Sequence, residues 1–489
     1  MVAFFYLSLE QSNMLFNSFD FGFFLLIVYT IYWIIGTKRK KSQNFLLLVA
    51  SYVFYGLWDW RFLLLLIASS LIDYLAGQAI GRAQSNMQRK FLLWISIFWN
   101  LGILITFKYY NFFITSFSDL FSIEIAPSGY TIWNVIIPLG LSFYTFQTMS
   151  YTIDVYLGKI KPTKNILNFL CFVGFFPQLI AGPIERAKKL LPQFKINRSF
   201  DLQTSIEGLR QILWGLFKKI LVADKLGLAV TMVFNNPESY GSMMLIFAAV
   251  LFCFQIYCDF SGYTDIAIGT AKLFGFRLSR NFNLPYLATS ITDFWQRWHI
   301  TLTQWFTDYV YIPLVKNSSK PTRIIRASAL VFTLTLVGLW HGANWTFIAF
   351  GLFNGLVLAL ERVPFFHKKG TLIKKLKNIP RIFSVGYVFV IFTISAIFFR
   401  ADSISHAWDY FSGILTNSGD ILISSLIGFK LVYLVVMLIT EMNTKGWEFP
   451  LQKMELLLPK PARWAIYYLL IILIIRYAEP KEAFIYFQF

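Results

Sequence analysis

Residues 329–360 read ALVFTLTLVGLWHGANWTFIAFGLFNGLVLAL, two apolar runs joined at His341 by a short polar knot. Each run approaches the length that carries a helix across a bilayer core about 30 Å thick. An imidazole deep in such a stretch has to be hydrogen-bonded or hydrated, because an unpaired polar group there costs several kcal/mol. Ionisable residues within membrane segments are rare and tend to mark function, which makes His341 the first candidate. Gly338 and Gly342 flank the Trp340-His341 pair and strip one helix face of side chains, so that a ligand or a second helix can approach closely. The structural alternative is a core histidine that joins two helices, with Gly342 and Asn344 simply breaking the run.

Working outward, the whole chain is of the same kind. Of 489 residues, 57% are hydrophobic, 19% aromatic and only 14% charged. That balance excludes a soluble globule and indicates an all-α, polytopic membrane protein. Runs of spanning length number roughly eleven to thirteen, some of them re-entrant, with amphipathic helices at the interface. Their centres fall near residues 28, 51, 70, 99, 141, 172, 230, 251, 333, 352, 391, 432 and 469, those near 172 and 230 being the doubtful ones. The first run has no small-residue cleavage site after it and reads as a retained span. Connections on the order of 20 to 30 residues are too short for a soluble catalytic domain, so any chemistry is expected within one membrane domain over 1–489. Within it, residues 1–130 form N-terminal helices, 131–402 a catalytic core and 403–489 C-terminal helices.

A formal charge of +19 raises the question of nucleic acid, but the lysines and arginines lie in clusters between apolar runs, not on one face. The clusters are Lys38 to Lys41, Arg82 with Arg89 and Lys90, Lys159 to Lys164, Arg186 to Lys195, Lys218 with Lys219, Lys316 to Arg326, and Lys368 to Arg381. Placing them in the cytoplasm under the positive-inside rule puts the N-terminus outside, together with segments 109–130 and 403–420. Cys171, Cys253 and Cys258 sit in apolar surroundings without paired spacing and read as packing residues.

The familiar catalytic signatures are missing: the chain has no G-x-S-x-G elbow, no H-E-x-x-H, no P-loop and no dinucleotide fingerprint. Its four histidines, His299, His341, His367 and His406, have no carboxylate spaced to join them at a metal. Proton transfer by histidine is what remains.

The second informative stretch, DFWQRWHITLTQWFTDYVYIPL at 293–314, has helical period. Phe294, Trp298, Leu302, Trp305 and Tyr309 form one face, and Arg297, Thr301, Gln304 and Asp308 a polar stripe opposite. One amphipathic helix is expected, with His299 at the edge of its apolar face. An interfacial helix with a backbone-bonded histidine would show the same pattern.

At these residues the sequence resembles the membrane-bound O-acyltransferase family and, within it, the bacterial alginate O-acetylation subgroup. The resemblance rests on LWHGANWTFIAFGLFNG (339–355) and FWQRWHITLTQWFTDYVYIPL (294–314). Supporting blocks are IPLGLSFYTFQTMSYTIDVYLGK (137–159), FFPQLIAGPIER (175–186), GLFKKILVADKL (215–226), YCDFSGYTDIAIG (257–269), RNFNLPY (280–286) and FFRAD (398–402). The resemblance implies an acyltransferase whose near-invariant histidine matches His341 and whose second histidine matches His299. Where the subgroup usually carries an arginine before the Asp-Tyr pair, this chain has Thr307, and Thr301 and Thr303 stand where serines are common.

Acyl transfer from a thioester to a sugar hydroxyl needs a base near neutral pKa, a donor for the developing oxyanion, and exclusion of water. His341 is assigned the base, and His299 the orientation of the acyl group or donation to its oxyanion. Asn344 is a candidate to hold the His341 tautomer. Arg297, Lys218 and Lys219 are candidate partners for donor phosphates, although a positive-inside flank explains the lysines equally. Asp259 and Asp265 either bind the donor head group or cap and position the next helix, and Trp298 and Trp340 are candidate donor-lining residues beside the histidines.

The resemblance implies acetyl-CoA as acyl-donor substrate and no metal. It also implies an exopolysaccharide or cell-wall glycan as acceptor, a bacterial cytoplasmic membrane, and an extracytoplasmic SGNH-hydrolase-like partner that completes transfer. D-Alanyl transfer from a carrier protein to teichoic acid is the alternative within the family. A transporter would require duplicated halves and paired intramembrane charges, neither of which is found, and a non-catalytic export scaffold leaves the knot at His341 without a purpose.

Overall fold

Several of the described helices begin where the sequence supplies a side-chain cap. Ser18, Ser85, Asn165, Ser290, Thr322 and Ser403 each accept a backbone N–H in the first turn of the helix that follows, satisfying donors that have no partner within the helix. The computed structural model describes residues 15–121, 137–180, 182–317, 320–362, 380–419, 428, 430–478, 484 and 485, and every regular element among them is helical. His367, residues 368–379 of the last basic cluster, and segment 122–130 lie outside the described residues.

Among the described residues, six helices are long and apolar enough to cross a membrane: Lys40–Arg82, Asn86–Phe121, Ser242–Leu273, Arg323–His341, Trp345–Arg362 and Arg381–Arg400. The protein is therefore a multi-pass, all-α membrane protein. The runs centred at 51 and 70 share one 43-residue helix, interrupted only at Asp59, whose φ of −159° and ψ of 111° are extended. Phe19–Ile35 is a shorter apolar helix at the first expected centre. Around 172 the helix Ile166–Gly174 has nine residues, roughly 14 Å of rise, less than half a bilayer core. Around 230 the helix Asp224–Asn235 has twelve residues and follows a π-helical stretch, Phe217–Ala223.

The chain divides into two units, 1–212 with 266–279, and 213–265 with 280–489. In the first, the buried Arg198 guanidinium donates to the hydroxyl of Tyr32 and to Asn44 Oδ1 and lies over the Phe276 ring at 4.8 Å. One buried cation thus ties three chain segments.

The second unit carries both candidate histidines. Its helices Arg323–His341 and Trp345–Arg362 pack closely along much of their length because glycine meets glycine: a Cβ built on Gly338 would lie 3.0 Å from the Gly351 Cα. The bare face around Trp340-His341 therefore receives a second helix, one of its two expected occupants. Gly342 lies against the Phe347 ring.

The amphipathic helix expected over 293–314 is not continuous. Short helices Ile291–Trp295 and Ile300–Phe306 are separated by a turn, and a π-helical stretch Thr307–Tyr311 leads into Ile312–Lys316. The break is at His299, whose φ of 40° and ψ of 55° are left-handed, a conformation that costs a non-glycine residue of order 1–3 kcal/mol. Aromatic spacing runs unbroken through this turn, and so helical periodicity alone hid it.

Candidate active site

His341 is the last residue of its helix, and Gly342 continues in extended conformation. The chain leaves the helix at this point, and the imidazole is left facing aromatic side chains of the helices Trp345–Arg362 and Arg381–Arg400. Its ring lies 5.9 Å from that of Phe350 and 5.1 Å from that of Phe399. Trp340 contacts both histidines: its ring is 5.0 Å from His341 and 5.9 Å from His299. The rings of Phe260, at 4.6 Å, and Phe282, at 6.4 Å, enclose His299 from other sides. His299 and His341 are 1% and 4% exposed. Burial pushes the His299 imidazole down to about 3, so that it is neutral at physiological pH.

A cavity of about 310 Å³ adjoins both segments. Ile300 and Thr303 line it beside the His299 turn, Leu334 and Val337 beside the His341 helix, with Asp308 and Arg362 among its polar groups. Its walls combine apolar surface with a few polar groups, the composition typical of small-molecule sites. Thr307, at the position of the subgroup's arginine, also lines it and donates its hydroxyl to the Thr303 carbonyl.

Other candidates take supporting places. Trp298 is buried and packs on Phe282 and Phe392 at 5.2 Å each, forming an aromatic wall behind the histidine turn. Arg297 bonds Asp293 at 2.7 Å and the Asn283 carbonyl at 3.3 Å. Asn344 does not hold the His341 tautomer: its amide donates to the Asp402 carbonyl at 2.8 Å and its oxygen accepts the Thr346 N–H at 3.0 Å. It caps the next helix, which is what its place between two runs demands. His406 bonds the Phe234 carbonyl at 2.8 Å and belongs to a different corner of the unit.

Lys218 and Lys219 are not a cytoplasmic flank. Both are buried, 3% and 1% exposed, because the π-helical turn that carries them points them into the unit. Lys218 meets Asp265 at 2.6 Å, Ser261 Oγ at 2.9 Å and Glu441 at 3.9 Å. Lys219 meets Asp259 at 2.6 Å and Asp224 at 2.8 Å. Asp259 also accepts the Ile485 N–H at 2.8 Å, and Glu441 the Tyr257 hydroxyl at 2.9 Å. Both aspartates of the 257–269 block are thus engaged with buried cations, as low dielectric requires. Removing Asp259 leaves buried Lys219 its ion pair with Asp224 and the buried Ile485 N–H without its acceptor, the latter at about 1–3 kcal/mol. Asp259→Ala is accordingly expected to deplete the protein from the membrane. A variant of normal abundance with only a raised KM for the donor would place Asp259 at the donor instead.

Two further positioning residues went unread in the sequence. Fully buried Glu361 accepts the N–H groups of Ile291 at 2.8 Å and Thr292 at 3.0 Å, fixing the short helix ahead of the histidine turn. Its signal was a lone carboxylate ending an apolar span. Asn281, in the RNFNLPY block, bonds the turn itself.

The family model for the membrane-bound O-acyltransferase family matches residues 159–401, a range that includes both histidines and the cavity. The probable alginate O-acetylase of Pseudomonas aeruginosa is 36% identical over 400 residues, covering 81% of this chain and 74% of that protein. The peptidoglycan O-acetyltransferase of Helicobacter pylori is 33% identical over 425 residues, 81% of this chain and 77% of its own. A more distant relative, the teichoic acid D-alanyltransferase of Bacillus subtilis, is 29% identical over 258 residues, half of this chain and 63% of its own. With this family match and relatives 33–36% identical over four fifths of its length, the chain belongs to the membrane-bound O-acyltransferase family and is an acyltransferase.

Proposed function

We propose that the enzyme moves an acetyl group from acetyl-CoA, supplied on the cytoplasmic side, to hydroxyls of an extracytoplasmic polysaccharide or cell-wall glycan, directly or through an exported hydrolase-like partner. The observation that carries this reading is the pair of buried imidazoles packed on the Trp340 ring, with Ile300 and Thr303 after the one and Val337 before the other lining the cavity. Acceptor names among the more similar relatives support acetyl over D-alanyl transfer.

In this reading the acceptor oxygen bonds to the acyl carbon while the carbon–sulfur bond breaks. His341 takes the hydroxyl proton and returns it to the departing thiolate, and His299 orients the reacting groups beside it. The aromatic enclosure limits water, which would otherwise hydrolyse the thioester. Donor-binding candidates are the residues on the cavity wall together with Trp298, Trp340 and Arg297. Asp259, Asp265, Lys218 and Lys219 serve the fold, and Asn344 serves the helix start.

The basic clusters support a cytoplasmic-membrane enzyme with its N-terminus outside and its donor entering from the lysine-rich face. Sealed vesicles of both orientations test donor, group and sidedness together. Acetyl-CoA added outside inside-out vesicles is expected to support acetylation, and added outside right-side-out vesicles to support none. Transfer only from an alanyl-loaded carrier protein, or transfer in the right-side-out vesicles, would overturn the assignment.

A further inference from the structure

His299 is one of two non-glycine residues with positive φ among the described residues, and the strain at this turn is offset from one direction. Asn281 reaches it with both ends. Its backbone carbonyl accepts the Ile300 N–H at 2.9 Å. Its side-chain Oδ1 accepts the Thr301 N–H at 3.2 Å and the Thr301 hydroxyl at 2.9 Å, and lies 3.2 Å from His299 Nδ1. Asn281 is fully buried, so water does not compete for these bonds.

The Thr301 amide decides the chemistry. A backbone N–H only donates, so the carboxamide atom facing it is the oxygen and not the nitrogen. The ring nitrogen that faces the same oxygen has to bring a hydrogen of its own. In the neutral imidazole the hydrogen is then on Nδ1 and the lone pair on Nε2.

We propose that Asn281 is a positioning residue for acyl transfer: it fixes His299 as the Nδ1–H tautomer, so that the second histidine offers its partners an acceptor nitrogen. This deepens, and rests on, the pairing of His299 with His341 proposed above. It also chooses between the two roles open to His299. With Nδ1–H committed to Asn281, neutral His299 accepts a hydrogen bond from the reacting groups, and the donor to the thioester oxyanion is another group.

The tautomer can be read without activity, by ¹⁵N NMR of histidine-labelled full-length protein, the His299 signals being those lost in His299→Asn. Expected is hydrogen on Nδ1 in the wild type and a mixture of tautomers in Asn281→Ala, with kcat falling about tenfold or more and the donor KM little changed. Asn281→Asp keeps the oxygen and adds a charge that favours the imidazolium, so the pH at which His299 takes up its second proton is expected to rise by about one unit or more. Hydrogen on Nε2 in the wild type overturns the proposal, and because this is measured on the native protein it holds even if the variants fail to fold. An abundant Asn281→Ala with unchanged tautomer and kcat overturns it as well. Were the Nδ1–H form lost in Asn281→Ala while that variant and His299→Ala both kept the wild-type kcat, the tautomer assignment would stand and the catalytic pairing beneath it would fall.

Discussion

His341→Ala is expected to reach the membrane at normal abundance and to transfer no measurable acyl group. The substitution removes the proton acceptor, and a general base contributes typically 10²–10⁴-fold to rate. It spares what holds the helix pair together, since the close approach of Gly338 to Gly351 lies within the helices and the imidazole stands at the end, against Phe350 and Phe399. Glycan acetylation in cells, measured beside the membrane level of the protein, decides the matter. Retained acetylation would remove His341 from the chemistry. Loss of the protein itself would make it a core histidine.

Asparagine at each histidine separates their parts. The amide offers an acceptor oxygen and a donor of similar reach but takes up no proton at neutral pH. His299→Asn is therefore expected to retain measurable transfer, because accepting a hydrogen bond and orienting a group are jobs an amide can share. His341→Asn is expected to retain almost none. The assay is acetyl-CoA-dependent transfer by the purified protein to a glycan acceptor, with the exported partner added where turnover requires it. Equal loss in the two variants would mean that the imidazoles act as one unit, and a greater loss at His299 would reverse the assignment.

What the sequence made legible was periodicity and rarity. Long apolar runs announce their helices, and a histidine amid one of them announces itself, because both signals are local. The helix-on-helix use of Gly338 was readable as a bare face, though not which of two occupants it had. Less legible was anything that depends on a partner far along the chain. Lys218 and Lys219 look like any positive flank until Asp259, Asp265 and Glu441 are brought beside them. Likewise, the aromatic repeat of 293–314 continues through the turn at His299, which exists because Asn281 captures the amides of Ile300 and Thr301. A pattern of side chains reports which face is greasy. It is silent on where a distant carboxamide interrupts the backbone.

The clasp between Asp259 and Ile485 has a consequence for how the chain is made. Lys219 enters the membrane accompanied almost at once by Asp224, so its charge is answered locally while the ribosome is still at work. Asp259 joins it from the next long helix, but the amide that Asp259 accepts is 226 residues further on. Throughout the synthesis of the His299 turn and of the His341 helix pair, that carboxylate lacks its last donor, and an intermediate lacking it is less stable than the finished protein. This last bond of the charged cluster therefore forms only after both histidine segments have been made, and a chain cut short ahead of residue 485 keeps both histidines but leaves Asp259 without the Ile485 N–H.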